Sequence, residues 1–348
     1  MTEKWITKSN PMKVSVNRSS THTKKLNGRF AITTTLSIGF IFNTSCQADS
    51  LDNDISKLLQ QRFSVAVLLS DTDAIAFGIG DFNPNSLFDT ANSELGTEES
   101  VNERRNKSVY VLPYTTKFKI KGSKDSHELS FKAFAIKTKD DLKLFGTSKD
   151  ILKESTYGTS VGYGYIHKAN QKITLSTRAT AHLIRYENSF STDNVLSFII
   201  GKFLDGRAVN VSAWSAIVQP SVKAKYTQPT NWGKWHVSST LNSFIGHSWG
   251  SANNGNIGNP KGWYLANEVT GYYNIYHGKQ TLFSGIKRVD LSRDLSNELG
   301  SPHYYEASIG WLFYSPKPID WVDNFGVGVN FNFGSSLRGG SIQLYFNK

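Results

Sequence analysis

The sequence predicts an all-β fold: a transmembrane, antiparallel up-and-down β-barrel of about twelve strands with a short N-terminal helix. Three observations predict it. Period-two alternation of apolar and polar residues recurs from residue 62 almost to the C-terminus. The segments between the alternating runs sort by parity into short turns and mostly longer loops. Tryptophans stand toward the ends of the runs rather than in their middles.

Composition narrows the choice. Of 348 residues, 39% are hydrophobic and 19% charged, and no stretch reaches the roughly 18 apolar residues that a membrane helix needs. Any crossing must therefore be made by strands. The 21 Phe, 15 Tyr and 28 Gly suit pleated structure with many turns. The net charge of +11 is uneven: residues 1–48 carry seven basic residues against Glu3, and the remainder carries 32 basic against 27 acidic. So mild an excess in the body gives no nucleic-acid footprint.

Residues 1–48 read as a secretory signal. A basic region runs to Arg29, an apolar run follows from Phe30 to Phe42, and small residues precede Ala48. Cleavage is expected between Ala48 and Asp49, and translation starting at Met12 would shorten the leader. Cys46 is the one cysteine, so the mature chain would hold neither a disulfide nor a reactive thiol. Lipidation of Cys46 would need an aliphatic residue three positions earlier, where Asn43 stands. In residues 49–61, Leu51, Ile55, Leu58 and Leu59 fall at helical spacing. A helix of about 16 Å is expected there, too short to thread a barrel and suited to plugging the periplasmic mouth or lying on the inner rim.

The barrel is assigned to residues 62–348. In 62–82, Phe63, Val65, Val67, Leu69, Ile75, Phe77 and Ile79 keep one parity, giving either one long first strand or, if SDTD turns, a strand at 73–82. Later runs follow near 108–121, 128–138, 157–169, 173–183, 213–226, 234–248, 262–277, 280–291, 303–314 and 324–334. The run at 280–291 alternates poorly because Lys287 and Arg288 are adjacent, which predicts a bulge or a rim position. The last strand alternates Ile342, Leu344 and Phe346, facing lipid, with an inward Tyr345. An even strand count would put both termini in the periplasm. Trp232, Trp235, Trp311 and Trp321 mark the periplasmic rim, and Trp214, Trp249 and Trp263 the external one.

Parity also sorts the loops and the charges. The loop 83–107 carries Asp89, Glu94, Glu98, Glu99 and Glu103 before Arg104, Arg105 and Lys107, a surface suited to solvent or to divalent-bridged lipopolysaccharide. VLSFIIGKFL at 195–204 is too apolar for an open loop and is expected to fold over or into the barrel mouth. Arg178, His182, Lys223, Lys225, Glu268 and Glu306 are expected in the lumen, where opposed charges would brace the interior.

With the leader, the parity and the last strand in view, LLSDTDAIAFGIGDFNPN (68–85) and VGVNFNFGSSLRGGSIQLYFNK (327–348) resemble the β-barrel domain of bacterial autotransporters. The resemblance covers about 62–348 and is greater to the solitary, passengerless barrels of marine gamma-proteobacteria. It implies the bacterial outer membrane as location, and lipid, lipopolysaccharide, the barrel assembly machinery and periplasmic chaperones as partners of a monomer. It implies a linker helix in the pore, from which the short stretch after Ala48 departs. No cofactor or metal is expected, since the eight His carry no ligand spacing.

A structural, surface-interaction or narrow-pore role is the first expectation. The alternatives are an outer-membrane lipid hydrolase and a small diffusion porin. For the hydrolase, IGHSWGSANNGN supplies His247, Ser248, Ser251 and Asn254, but His247 and Ser248 fall on opposite strand faces. No enzymatic activity is therefore expected. The terminal strand yields a test: Phe346→Ala should impair assembly, whereas removing Asn347 and Lys348 should not. The measurement is the fraction of unboiled protein that migrates as the compact form on a detergent gel, and equal assembly of both variants would refute the role given to Phe346.

Overall fold

The computed structural model describes residues 46–71 and 80–346, apart from 86–91, 94–96, 98–105, 120–121, 124, 146–148, 277–278, 320–321 and 337. The leader up to residue 45 and most of the charged loop 83–107 lie outside the described residues, as does Trp321. Helix α1 spans Cys46–Ser70 and contains Ala48 and Asp49. Twelve strands follow: β1 (Gly80–Phe82), β2 (Lys107–Lys119), β3 (Ser126–Asp141), β4 (Ile151–Lys168), β5 (Ile173–Ser191), β6 (Ser212–Thr230), β7 (Gly233–Gly250), β8 (Lys261–Ile275), β9 (Gln280–Leu291), β10 (His303–Ile319), β11 (Val322–Phe333) and β12 (Gly339–Phe346). Helix α2 (Val195–Leu204) lies between β5 and β6, and α3 (Arg293–Leu299) between β9 and β10.

Every pairing between these strands is antiparallel and joins neighbours in sequence, except that β1 pairs with β12. The sheet order begins at β1, passes to β12 and descends to β2, so β1 and β2 are its two ends. At one end of the strands the connections are 120–125, 169–172, 231–232, 276–279 and 320–321; at the other they are 83–106, 142–150, 192–211, 251–260, 292–302 and 334–338. The first set, mostly short, suits periplasmic turns, and the second, mostly longer, suits external loops.

Burial alternates along the strands. Inward residues are buried or half-buried, whereas Val161, Leu183, Val218, Leu241, Ile286, Val327 and Leu344 face outward and are exposed. That inversion of a soluble core is the signature of strands whose outer face meets lipid. Trp249 and Trp263 are likewise exposed on the outer face near strand ends, whereas Trp311 is exposed midway along β10, away from the strand end where the sequence placed it.

One expectation needs correction. Residues 62–70 form the last turns of α1 and are not strand. The reason is visible in the burial: every residue from Phe63 to Ser70 is buried, so both parities are enclosed. A helix enclosed on all sides carries an apolar run without helical periodicity, and a short apolar run cannot be divided between helix and strand by periodicity. The Ser64 and Ser70 hydroxyls are satisfied inside the helix, on the Gln60 and Val67 carbonyls. Of the predicted first strand, Gly80–Phe82 is strand, pairing with Gly340–Ile342, and 72–79 lies outside the described residues. Of the two alternatives for 280–291, the structure has the rim position and not the bulge. Lys287 and Arg288 keep one register with both neighbours, at the rim, with Lys287 inward on Glu306 and Arg288 outward on Asp290. A register shift occurs instead in β10, between Tyr314 and Ile319.

Inward glycines make room for aromatic rings. A Cβ on Gly158 would stand 2.2 Å from the Phe134 ring, and one on Gly310 2.6 Å from Phe283. Gly158→Val should therefore lower stability by about 1–3 kcal/mol through overpacking, and adding Phe134→Ala should recover part of the loss. The check is the temperature at which the compact gel form disappears; an unchanged midpoint for Gly158→Val would refute the packing.

Candidate functional site

The interior of the sheet is occupied. Residues of α1 touch β2, β5 and β8, strands well separated around the sheet, as well as α3. Leu59, Phe63, Val67 and Leu68 are fully buried, and the Phe63 ring meets the inward Tyr186 edge-on at 6.3 Å. At about 1.5 Å per residue the 25-residue helix is roughly 37 Å long, not the expected 16 Å.

Its direction corrects a further expectation. The N-terminal half of α1 is tied to the loop end. The Asp52 carboxylate pairs with Arg207, and its carbonyl accepts from Asn253 Nδ2 at 2.8 Å. The Ser56 carbonyl accepts from the Gly258 N–H at 3.2 Å, and a Cβ on Gly258 would stand 2.5 Å from that oxygen. Gln60 Nε2 donates to Asp294 at 3.0 Å. Deeper in, Lys132 Nζ, midway along β3, donates to the Ser70 carbonyl at 2.9 Å. The helix therefore descends from the loops to mid-barrel, and the described N-terminal residues stand at the loop end. Strand parity alone assigned them to the opposite mouth, because parity counts crossings made by strands and misses one made by a helix.

Arg62 is the hub of the occupied half. Its guanidinium pairs with Glu154 on β4 at 3.0 Å and with Glu298 on α3. The Tyr186 hydroxyl donates to the same Glu154 at 2.5 Å, and Asn188 Nδ2 donates to Tyr186 at 3.1 Å. All three charged side chains are nearly enclosed, so each needs the others: a buried charge without its partner is costly. The cavity beside them, lined by Arg62, Ala66, Ile136, Glu154 and Tyr186 among others, measures about 30 Å³. That holds a water or two, not a solute.

Below the helix the interior is polar. Tyr264 donates to Asp71, and Gln219 Nε2 donates to the Tyr264 hydroxyl at 2.7 Å. Gln219 Oε1 lies 2.7 Å from His182 Nε2. Arg178 pairs with Glu128, and Glu306 with Lys287 at 3.1 Å. Glu268 Oε1 accepts from Thr270 at 2.6 Å. Lys223 and Lys225 are half-buried on the inward face of β6. The structure thus places Arg178, His182, Lys223, Lys225, Glu268 and Glu306 all inside, but in separate groups that do not converge on one site. Sequence reading missed Arg62, Glu154 and Glu298; a lone Arg preceding a mostly apolar run was the available signal.

On β12, Ile342 and Leu344 are exposed on the outer face, and Phe346 pairs with Phe325 in the β11–β12 register. Tyr345 turns inward and meets Phe283 edge-on at 4.9 Å. His247 lies on the outer face, stacked near Trp249, while Ser248 is buried inside and its hydroxyl donates to Ser215. Among the described residues no group of His, Cys, Asp and Glu could hold a metal ion. Helix α2 is capped by Asn194, whose side chain accepts from Leu196 N–H at 2.8 Å and Ser197 N–H at 3.2 Å. It buries Ser197, Gly201 and Leu204, with Gly201 against Phe190.

No curated protein matches the chain in sequence. Among solved structures it is similar to the translocator domain of autotransporter NalP from Neisseria meningitidis, at 11% identity and TM-score 0.38, over 67% of this chain and 84% of that one. It is also similar to a Pseudomonas aeruginosa FadL homologue, at 12% identity and TM-score 0.37, over 68% and 64%. A third similarity is to the KdgM porin in complex with disordered oligogalacturonate, at 10% and 0.28, over 68% and 96%. At such scores the family match alone carries the assignment. The model of the solitary outer membrane autotransporter β-barrel domain matches residues 60–348, and the chain, an outer-membrane β-barrel protein, belongs to that family.

Proposed function

We propose that this protein is a plugged, non-conducting outer-membrane barrel whose role is structural and surface-presenting, performed by its external loops. The observation that carries the reading is helix α1, buried inside the sheet and pinned through Arg62 to Glu154 and Glu298. A solute path through that half would have to displace an enclosed helix and break a buried ion-pair network. An open diffusion porin is disfavoured for the same reason, and porins typically use more strands. A lipid hydrolase is disfavoured because His247 and Ser248 face opposite sides of β7, so the base cannot reach that hydroxyl. We assign no reaction, cofactor or nucleic-acid partner. The proposed partners are outer-membrane lipid, lipopolysaccharide, the barrel assembly machinery and periplasmic chaperones, acting on a monomer.

Planar-bilayer recording tests the plug. The wild-type protein should pass little current, and deleting residues 49–70 should open a steady channel. Large steady wild-type conductance would overturn the proposal. Arg62→Ala leaves Glu154 and Glu298 without their shared cation, which for a buried pair costs about 3–5 kcal/mol. It should lower the thermal midpoint of the compact form and produce intermittent openings, and an unaltered midpoint would refute the hub.

A further inference from the structure

We propose that the outer face of β3, β4 and β5, just below the loops, binds the phosphate groups of a lipopolysaccharide molecule of the outer leaflet. The outward Lys and Arg residues of β2 to β9 all stand near the loop end: Lys137, Lys139, Lys153 and Arg185 together, and Lys261 and Arg288 apart. Arg288 is already neutralised by Asp290, with contacts at 2.7 and 3.0 Å.

The first group is different. Lys139 lies directly opposite Lys153 in the β3–β4 register, and Lys137 is the next outward residue on β3. Such pairs hold their Cβ atoms about 4.5–5.5 Å apart, where like charges repel. Among the described residues, the carboxylates on the same face are Asp141, at the end of β3, and Glu187, which is bound to Arg185 at 3.3 Å. The four cations thus exceed the local acids, and a dianionic group placed among the lysines would turn their repulsion into attraction.

The surroundings select a lipid phosphate over a free one. Immediately toward the turn end, the same outer face becomes apolar: Tyr110 and Tyr157 first, then Leu112 and Leu183, then Phe131 and Val161, all exposed. Arg185 is held at that boundary, 5.6 Å over the Trp214 ring. Charges on a barrel's lipid face are tolerated near the interface and not at mid-depth. A ligand matching this face carries phosphates at the level of the lysines and acyl chains below them.

The test uses the full mature protein in detergent with EDTA, and reads bound lipid by native mass spectrometry. The probes are bisphosphorylated lipid A, its dephosphorylated form and inorganic phosphate. Wild-type protein should retain bisphosphorylated lipid A at least about tenfold better than the combined Lys137→Gln, Lys139→Gln, Lys153→Gln variant, while all three lysines changed to Arg should retain it. The Gln variant should keep its compact gel form, since these side chains are exposed. Equal retention by wild-type and Gln variant, equal retention of the dephosphorylated lipid, or displacement by equimolar inorganic phosphate would each overturn the proposal. Bilayer conductance plays no part in these readings, so this inference and the plugged-barrel reading fail separately.

Discussion

The ion-paired guanidinium of Arg62 is the constraint around which the interior is arranged. It stands where the polar first half of α1 meets the apolar second half, and it joins the helix to β4 and to the α3 loop at once. Taking three charges out of water is unfavourable unless they satisfy one another. Their mutual satisfaction fixes the helix in rotation and in depth. Phe63 then falls on Tyr186, Ser70 reaches Lys132, and Asp71 reaches Tyr264.

A sheet that exposes its apolar side to lipid must make its other side polar, and polar side chains in an enclosed space need partners. This chain meets the requirement in two ways. In the loop half it inserts a helix whose apolar run lies against Ile136, Ile184 and Tyr186. Beyond the helix it sets residues of opposite character against each other: Arg178 with Glu128 toward the turns, Lys287 with Glu306 toward the loops, and the His182–Gln219–Tyr264 chain. Glycines on the inward face set how closely rings can approach, as Phe134 does over Gly158 and Phe283 over Gly310. The interior is a packed, polar-and-aromatic core, inverted relative to a soluble protein.

The outer face is patterned as carefully as the inner one. Trp249 and Trp263 lie toward the strand ends, aliphatic residues occupy the face between, and outward cations gather under the loops. The loop end is also the busier end chemically, since α2, α3 and the described part of α1 that precedes Arg62 all meet there. Both the proposed plug and the proposed lipid contact therefore belong to the loop end of the molecule.

The strands, their order and the face each residue occupies were legible in the sequence. In β12, Ile342 and Leu344 alternate with Gln343 and Tyr345, and period-two alternation survives because lipid and lumen impose opposite demands on neighbouring residues. Charges such as Arg178 and Glu306 could be assigned to the lumen on the same ground, but not to their partners, which lie on other strands and follow from register. What the sequence could not reveal is the state of residues 62–70. An apolar run enclosed on every side leaves no periodic trace of whether it is helix or strand, and only the surrounding sheet supplies that enclosure. The length of α1, its descent from the loop end and the pairing of Arg62 with Glu154 and Glu298 were therefore decided by tertiary structure.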